Sequence, residues 1–365
     1  MKHNYTYPAL LALMMTVALA GCQQDPLPET DAIRFSVASA TVETTKADNP
    51  NEASYLIAEG NAIKVWGSLK ENDSWADVFV NTPETVTYNK PAGSSTLSWN
   101  YTNTRYWNRN ATYRFRAVYA PGHEETDIQA TSASDKAVVK YAMSDNYDLM
   151  VASTPEISAQ TQVTSGNDPV NLTFRHAGSA VRFLFYKADS DQNAYYINHF
   201  ELKYLYTSAT LEYSGTGTTA APASPEVAIS EWKLGDTPAR TASAYAWTAT
   251  EADPSWPVPT ATAGAGAVKD KEWFFVIPQV LDNTDGDASL NFTFTVGTGG
   301  SAQQMTVTLD LEKYGTPAAS VTWEPGKMYT YRIQIAPKDI KFTVAWTPWA
   351  NGKEGDFNYS GWKEL

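Results

Sequence analysis

The stretch Leu290-Asn291-Phe292-Thr293-Phe294-Thr295-Val296 alternates apolar and polar side chains without interruption. Successive side chains of a β-strand point to opposite faces, so a period of two predicts a strand with one buried and one solvated face. The same period recurs in stretches that begin at Ile33, Tyr113, Met305, Tyr329 and Ile340. Half-buried strands of this kind are typical of β-sandwiches. The sequence therefore predicts an all-β protein.

Residues 153–169 separate two groups of such strands. They contain two prolines, a glycine and mostly small polar side chains, which favours a domain boundary. We therefore expect an N-terminal sandwich over 31–158, a linker over 159–169 and a C-terminal sandwich over 170–365. The best helical candidates are residues 135–143 and 176–181, and both are equally compatible with strand or turn.

Composition narrows the class of protein. Of 365 residues, 43% are hydrophobic and 13% aromatic, while only 18% are charged, which argues against disorder and against a coiled coil. The formal net charge of −13 would repel a phosphate backbone, so nucleic acid is not an expected partner.

The N-terminus has the pattern of an export signal. Lys2 precedes an apolar run over 9–20, which ends in Leu19-Ala20-Gly21-Cys22. This pattern matches a bacterial lipoprotein signal, in which residues 1–21 are removed and the thiol of Cys22 is acylated. Residues 22–30 are polar and contain two prolines, so they predict a tether to an outward-facing membrane surface. The alternative is an ordinary signal peptide with an incidental cysteine. Because Cys22 is the only cysteine, no intramolecular disulfide is possible.

Several ordered segments carry a resemblance to a known family. They include Phe274-Phe275-Val276-Ile277-Pro278-Gln279 and the segments 33–37, 44–47, 105–107, 113–121, 147–152, 170–177 and 323–331. Together, behind the lipoprotein signal, they resemble the fimbrillin-like family of bacterial surface lipoproteins, the subunits of type V pili. The resemblance implies two transthyretin-like β-sandwich domains in tandem, in a subunit of the fibre shaft, tip or anchor. It also implies other fimbrial subunits as partners and a location at the outer membrane and cell surface.

The resemblance further implies a processing site. In such pilins an Arg-directed protease removes the first strand, and a neighbouring subunit supplies a replacement. The matching position here is Lys46, where the family pattern has arginine. Either a protease that accepts lysine cuts at Lys46, or the subunit keeps its first strand as an anchor would, or Lys46 is a solvated loop residue.

A run near the C-terminus is a candidate donor strand. Its apolar positions are Ile340, Phe342, Val344 and Trp346, and it ends at Pro348, which cannot donate a ladder hydrogen bond. Such a strand could enter the groove that a neighbour's lost first strand leaves open. Two alternatives are that the run completes its own domain and that residues 349–365 supply the donor.

Catalytic and metal-binding patterns are weak. The sequence has neither a G-x-S-x-G nor an H-E-x-x-H motif, and His123, His176 and His199 lack a close ligand spacing. Asp282, Asp285 and Asp287 are typical of a calcium loop, but Thr293 stands where an EF-hand needs glutamate. We therefore expect a non-enzymatic protein with no cofactor and no metal, in which the three aspartates form a solvated turn.

An aromatic-rich stretch supports the alternative function. It comprises Trp99, Tyr101, Tyr106, Trp107, Tyr113 and Tyr119. On an exposed face these rings could stack against sugars, although core packing is the favoured interpretation, because large aromatics supply much of a sandwich core. The alternative to a fimbrial subunit is therefore a non-polymerising surface lipoprotein that binds glycans, and host or bacterial surface glycans and proteins are the corresponding partners.

Overall fold

A computed structural model provides the structure of this chain. It describes residues 31–39, 56–79, 83–121, 128–130, 136–214, 231–235, 239–263, 266–267, 273–282, 286–297, 302–311, 321–336, 339–348 and 359–364.

The strands follow one another along the chain with little helix between them. The first half contains β1 (Phe35–Ser39), β2 (Ala62–Glu71), β3 (Ser74–Asp77), β4 (Glu84–Asn89), β5 (Ser98–Asn100), β6 (Thr112–Tyr119), β7 (Ile128–Ala130), β8 (Lys136–Ala142), β9 (Met150–Ser153), β10 (Ile157–Ser158) and β11 (Val170–His176). A short 3-10 turn spans Met143–Asp145, and a helix, α1, spans Ala159–Thr164.

The second half is built in the same way. It contains β12 (Ser179–Lys187), β13 (Tyr195–Lys203), β14 (Ser208–Ser214), β15 (Trp232–Lys233), β16 (Tyr245–Thr248), β17 (Trp256–Pro257), β18 (Gly266–Ala267), β19 (Phe274–Val276), β20 (Gln279–Leu281), β21 (Ser289–Val296), β22 (Gln303–Asp310), β23 (Val321–Trp323), β24 (Lys327–Ile335), β25 (Asp339–Pro348) and β26 (Tyr359–Glu364). The strands β20 and β23 form a small sheet of their own.

The first large sheet has the strand order β1-β11-β9-β6-β2-β4-β5, with β10 and β3 paired to β6 and β2. The pairing of β1 with β11 is parallel, and the other pairings in this sheet are antiparallel. Neighbouring residues of β2 enter different cores: Val65 packs with Phe115 and Phe174, and Trp66 packs with Val118 on the opposite side. The centre of this sheet is therefore buried on both faces.

A four-stranded sheet, β15-β14-β8-β7, covers that opposite side of the first sheet, and the cluster between them is called the outer core. Its central pair joins β8 to β14 over seven residues, from Ser208↔Ala142 to Ser214↔Lys136. Val139 and Leu211 of this pair pack in one cluster with Trp66 and Val118. A strand from before residue 158 is thus hydrogen-bonded to a strand from after residue 170.

The second sandwich consists of two sheets. One has the order β18-β12-β24-β25-β26, with β19 paired to β12, and the other has the order β16-β13-β21-β22, with β17 paired to β13. The largest core cluster of the described residues contains side chains from both sheets, among them Phe183, Phe200, Phe292 and Ile333. The alternation at 290–296 is explained by this core, because Leu290, Phe292 and Phe294 are fully buried.

The all-β fold class is confirmed. Of the two helical candidates, residues 136–142 form β8, and residues 176–181 span the end of β11 and the start of β12. The predicted linker instead contains α1, and Ser158 caps this helix by accepting a hydrogen bond from the Thr161 N–H at 3.4 Å.

The sheet pairings differ from the expected domain division at β11 and at the pairing of β8 with β14. Residues 170–176 are predicted to begin the second sandwich, but β11 pairs with β1 and β9 of the first large sheet. Its buried side chains Val170, Leu172 and Phe174 belong to the core of that sheet. The composition of 153–169 marks an irregular segment but carries no information about the partner of the next strand. The division into two tandem domains stays a prediction.

Within the described ranges, none of the helical segments has the length and apolar character needed to cross a bilayer.

Candidate functional site

The first strand is the candidate exchangeable element. Ile33, Phe35 and Val37 are 1%, 4% and 8% exposed and belong to the first core. The ring of Phe35 lies 5.3 Å from that of Phe115 and 5.8 Å from that of Tyr101, measured between centroids. Burying each such side chain is worth about 1.5–3 kcal/mol. The segment therefore contributes strongly to its sandwich.

The backbone of this segment is held on both sides of its apolar residues. The Ile33 N–H donates to the Arg105 carbonyl at 2.8 Å, and the Tyr101 hydroxyl donates to the Ile33 carbonyl at 2.8 Å. On the other side, the Val170 N–H donates to the Arg34 carbonyl at 2.7 Å. Burial raises the pKa of Tyr101 to about 12, so its hydroxyl stays protonated and keeps donating well into the alkaline range.

The strand β1 nevertheless lies at the edge of its sheet. In the strand order it is terminal and pairs with β11, from Phe35↔Val170 to Ser39↔Phe174. Removing an edge strand opens one row of backbone groups, whereas removing a central strand would divide a sheet. Removal of β1 would therefore break its pairing with β11 and no other pairing between the described strands, whereas residues 31–33 before it also bond to residues 105–107.

The predicted donor run forms β25. Its pairing with β24 extends from Lys327↔Pro348 to Ile335↔Ile340, and its other side pairs with β26 from Asp339↔Glu364 to Val344↔Tyr359. Ile340 and Val344 are buried in the core of the second sandwich. The side chains of Phe342 and Trp346 lie outside the described part of the structure, although their backbones pair with Ile333 and Tyr329. In this chain the run completes its own sheet, as one of the alternatives expected.

The terminal strand β26 is placed differently. It is the last strand in its sheet order and is paired with β25 among the described residues. From the sequence, residues 349–365 are expected only as an alternative donor segment, and no strand is predicted there. Two sheet edges, one at β1 and one at β26, are thus the candidate assembly surfaces of this chain.

Two predicted site residues, Cys22 and Lys46, lie outside the described residues, and so does Asp285 of the expected turn. The same is true of His123. The structure therefore gives no geometry for lipidation, for processing or for the side chains of Asp285 and His123.

The two described histidines are separate. His176 is buried, and its Nδ1 lies 2.9 Å from Oδ1 of the buried Asp148, as expected for a structural histidine. His199 lies in a different sheet from His176, and its Nδ1 is 2.9 Å from the hydroxyl of Thr248 on the neighbouring strand β16. Among the described residues, no group of three or more His, Cys, Asp or Glu side chains is arranged to hold a metal ion.

The aspartate loop near Gly286 is held by an arginine. The Arg240 guanidinium donates to Asp282 Oδ1 at 2.5 Å, to the Val280 carbonyl at 2.8 Å and to the Gly286 carbonyl at 3.2 Å. A guanidinium beside the carboxylate disfavours a bound cation by like-charge repulsion. No sequence signal identified Arg240, because its partners lie about 40 residues away and contribute mostly backbone oxygens.

The aromatic-rich stretch is mainly part of the core. Trp99, Trp107, Tyr113 and Tyr119 are buried, and Trp107 lies 4.7 Å from Tyr113 in an edge-to-face arrangement. The Trp107 indole N–H donates to Asn167 Oδ1 at 2.8 Å. Tyr101 and Tyr106 are partly buried. The packing interpretation is confirmed for the four buried rings, so they do not form a platform for sugars.

Comparison with known proteins identifies one family. A family model described as "Fimbrillin-like" matches residues 45–349. A fimbrial protein from Bacteroides vulgatus superposes with a TM-score of 0.53 at 17% identity, over 87% of this chain and 99% of that chain. A protein from Bacteroides uniformis that has been proposed to act in cell adhesion gives a TM-score of 0.44 at 16% identity, over 88% and 100%. No curated protein matches the chain. The likeness to the first of these structures shows a shared fold.

Proposed function

Since the chain belongs to the fimbrillin-like family, we propose that it is a structural and adhesive subunit of a bacterial surface fimbria, exported as a lipoprotein and assembled by strand exchange. The family is a fimbrial one and not a family of enzymes. The observation that carries the proposal is the position of β1, an edge strand that places Phe35 and Val37, together with the preceding Ile33, in the core of the first sandwich.

The acceptor in this scheme is the groove under β1. Cleavage after Lys46 would separate residues up to 46, and with them β1, from the rest of the chain. The backbone of β11 would then lose its parallel partner, and the pockets of Ile33, Phe35 and Val37 would open. An added strand would pair with the backbone of β11 and fill the open pockets, because its main chain forms ladder hydrogen bonds and its alternate side chains enter the pockets.

The donor in this scheme is the C-terminal segment of a neighbouring copy. Donation of the whole run with Ile340, Phe342, Val344 and Trp346 would remove β25 from between β24 and β26 and would empty the sites of Ile340 and Val344 in its own core. Release of β26 costs one edge pairing among the described strands. We therefore favour β26 as the first segment to be donated, with β25 as the alternative.

Lipid attachment at Cys22 would place the subunit at the outer membrane. Each buried CH₂ of an acyl chain contributes about 0.8 kcal/mol, so several chains on one residue give stable residence. Metabolic labelling with a fatty-acid analogue tests this proposal. We expect label on the wild type and none on Cys22→Ala, with Cys22→Ser as a second variant that keeps the size of the side chain. An unlabelled wild type would show that Cys22 is not acylated.

Assembly is tested by detergent-resistant ladders from the cell surface. We expect wild type and Lys46→Arg to form ladders, Lys46→Ala to lose them and a truncation before Tyr359 to lose them while staying folded. If Lys46→Ala and the truncation both polymerise like wild type, strand exchange is wrong for this protein. If the truncation loses the ladders and Lys46→Ala keeps them, the subunit donates its C-terminal strand but retains its own β1, as an anchor would.

Immunogold electron microscopy separates the positions in the fibre. Label along the fibres indicates a shaft subunit, and label at their ends indicates a tip or anchor. Diffuse label on the membrane without fibres would contradict the proposal and support the non-polymerising glycan binder.

A further inference from the structure

The outer face of the second sandwich carries a polar groove of about 550 Å³. Its lining comes from β13, β21 and β22 and from the loop between β16 and β17, and consists of Asn198, His199, Thr248, Ala249, Thr250, Pro254, Ser255, Thr293 and Gln304. The volume lies within the range of about 300–1,000 Å³ that is usual for small-ligand sites.

A bulge in β13 gives the groove two polar side chains in succession. Ile197 pairs with Phe294 and His199 pairs with Thr293, so Asn198 is an extra residue in β13. A β-bulge changes the direction of side chains and is over-represented next to binding sites. In a regular strand Asn198 and His199 would point to opposite faces, but here both line the groove.

The lining is held in place by hydrogen bonds on the sheet. The Asn198 amide donates to the Thr295 hydroxyl, His199 Nδ1 lies 2.9 Å from the Thr248 hydroxyl, and the hydroxyls of Thr293 and Thr306 lie 3.0 Å apart. Each hydroxyl keeps lone pairs for a further bond. The polar groups are therefore ordered before a ligand arrives, which lowers the entropy cost of binding.

The wall of the groove is also ordered. In the loop after β16, the Thr250 N–H donates to the Asp253 carbonyl at 2.7 Å, and the Asp253 N–H donates to the Thr250 hydroxyl at 3.0 Å. The Trp247 indole N–H donates to Asp253 Oδ2 at 2.7 Å. These bonds fix Ala249 and Pro254, which add a small apolar surface to the lining.

The chemistry of the lining indicates the class of ligand. It contains hydroxyls, two amides and an imidazole, but no carboxylate, ammonium or guanidinium. Glu201, whose carboxylate lies 3.8 Å from His199 Nε2, is outside the lining. Hydroxyl and amide groups both donate and accept, which matches the hydroxyls of a sugar. The net charge of −13 disfavours an anionic ligand.

We propose that this groove binds a segment of a neutral saccharide. Asn198, Thr293 and Gln304 would exchange hydrogen bonds with sugar hydroxyls, and Ala249 and Pro254 would contact the apolar face of a ring. The inference goes beyond the proposed role as a fimbrial subunit and stands without it, because one chain contains the complete groove.

The test uses the purified full chain on an array of immobilised neutral, sialylated and sulfated oligosaccharides. Multivalent display compensates for the weak single-site affinity of an open groove. We expect binding to neutral glycans. On the best neutral glycan, Gln304→Ala and Asn198→Ala should each weaken binding by about three- to tenfold, as for the loss of one hydrogen bond.

Gln303→Ala is the matched control. Gln303 is exposed, adjacent to Gln304 on β22 and absent from the lining, so its loss should leave binding unchanged. Circular dichroism and the urea midpoint check that every variant is folded. The proposal is overturned if no neutral glycan binds, if only acidic glycans bind, or if folded Gln304→Ala and Asn198→Ala bind like wild type. The array result does not depend on assembly, because it uses isolated chains. If the wild type forms no detergent-resistant ladders on the cell surface, glycan binding on the array is still expected.

Discussion

Tyr101 and Arg240 show how single polar groups hold irregular segments to a β core. The Tyr101 ring packs against Phe35 while its hydroxyl donates to the Ile33 carbonyl, so one side chain binds both the side chain and the backbone of the β1 segment. Arg240 is buried, and its guanidinium joins the backbone on both sides of the loop that contains Asp282. The hydrogen bonds that these two groups make offset the cost of burying them, although the Nε of Arg240 has no partner among the described residues.

Buried tyrosines predict a loss of stability at alkaline pH. Burial raises the pKa of Tyr101 to about 12 and also raises the pKa of Tyr329 and Tyr331 above the usual value near 10. Between pH 10 and 12 the unfolded chain releases tyrosine protons that the folded chain retains. The free energy of unfolding should therefore be insensitive to these groups below about pH 9 and fall above pH 10, by at most about 1.4 kcal/mol per pH unit for each tyrosine.

The measurement is a series of urea midpoints between pH 8 and 11.5, with tyrosinate followed by absorbance. Tyr101→Phe should cost about 0.5–1.5 kcal/mol at neutral pH through the lost hydrogen bond and should make the alkaline slope shallower. An unchanged slope in Tyr101→Phe would show that Tyr101 does not contribute to it.

At the scale of elements, the last two strands, β25 and β26, differ in the sheet pairings and buried side chains that their removal would cost. The strand β26 lies at a sheet edge, whereas β25 lies between two strands and contributes Ile340 and Val344 to the core of the second sandwich. A strand with one neighbour is a candidate for exchange, and a strand with two neighbours is part of the scaffold.

Truncation should therefore divide the C-terminus into a dispensable and an essential part. A chain ending before Tyr359 should keep a cooperative urea transition, and a chain ending before Asp339 should lose it. At single positions, Ile340→Ala should cost about 2–5 kcal/mol through the cavity that it leaves. The adjacent, exposed Lys341 is the matched control, and Lys341→Ala should cost less than about 1 kcal/mol. Equal midpoints for Ile340→Ala and Lys341→Ala would contradict the position of β25.

At the scale of the whole molecule, the chain is joined across its middle. The strand β11 returns to the first sheet, and β8 pairs with β14 from the second half. The outer core that contains Trp66 and Val118 is completed by Leu211 and Trp232. The boundary suggested by residues 159–169 therefore lies inside a network of sheet pairings.

Fragments of increasing length should reveal this dependence. A fragment of residues 31–158 lacks β11 and should not fold. A fragment of residues 31–176 regains β11 but leaves the outer face of the first sheet uncovered, and should bind a hydrophobic dye. A fragment of residues 31–235 contains β14 and β15 and should bind less dye. Dispersed amide resonances and a cooperative transition in 31–158 would instead support an independent first domain with the original boundary.

The sequence by itself determined the fold class and the strands with a clear alternation, because the period of two is a local property. The alternation at Leu290, Phe292 and Phe294 predicts a strand with one buried face, whichever strands lie beside it. The run from Ile340 to Pro348 likewise predicts a strand without indicating its neighbours. The ordered segments also sufficed to indicate the family, to which residues 45–349 match.

Only the tertiary structure decided which strands pair and which polar groups meet. Nothing local in residues 170–176 indicates a parallel partner at residues 35–39, more than 130 residues earlier. The groove depends in the same way on the register of β13 against β21, where one extra residue turns Asn198 and His199 to the same face. Pairing and register are set by contacts between distant segments, and a local sequence pattern encodes the faces of a strand but not its neighbours.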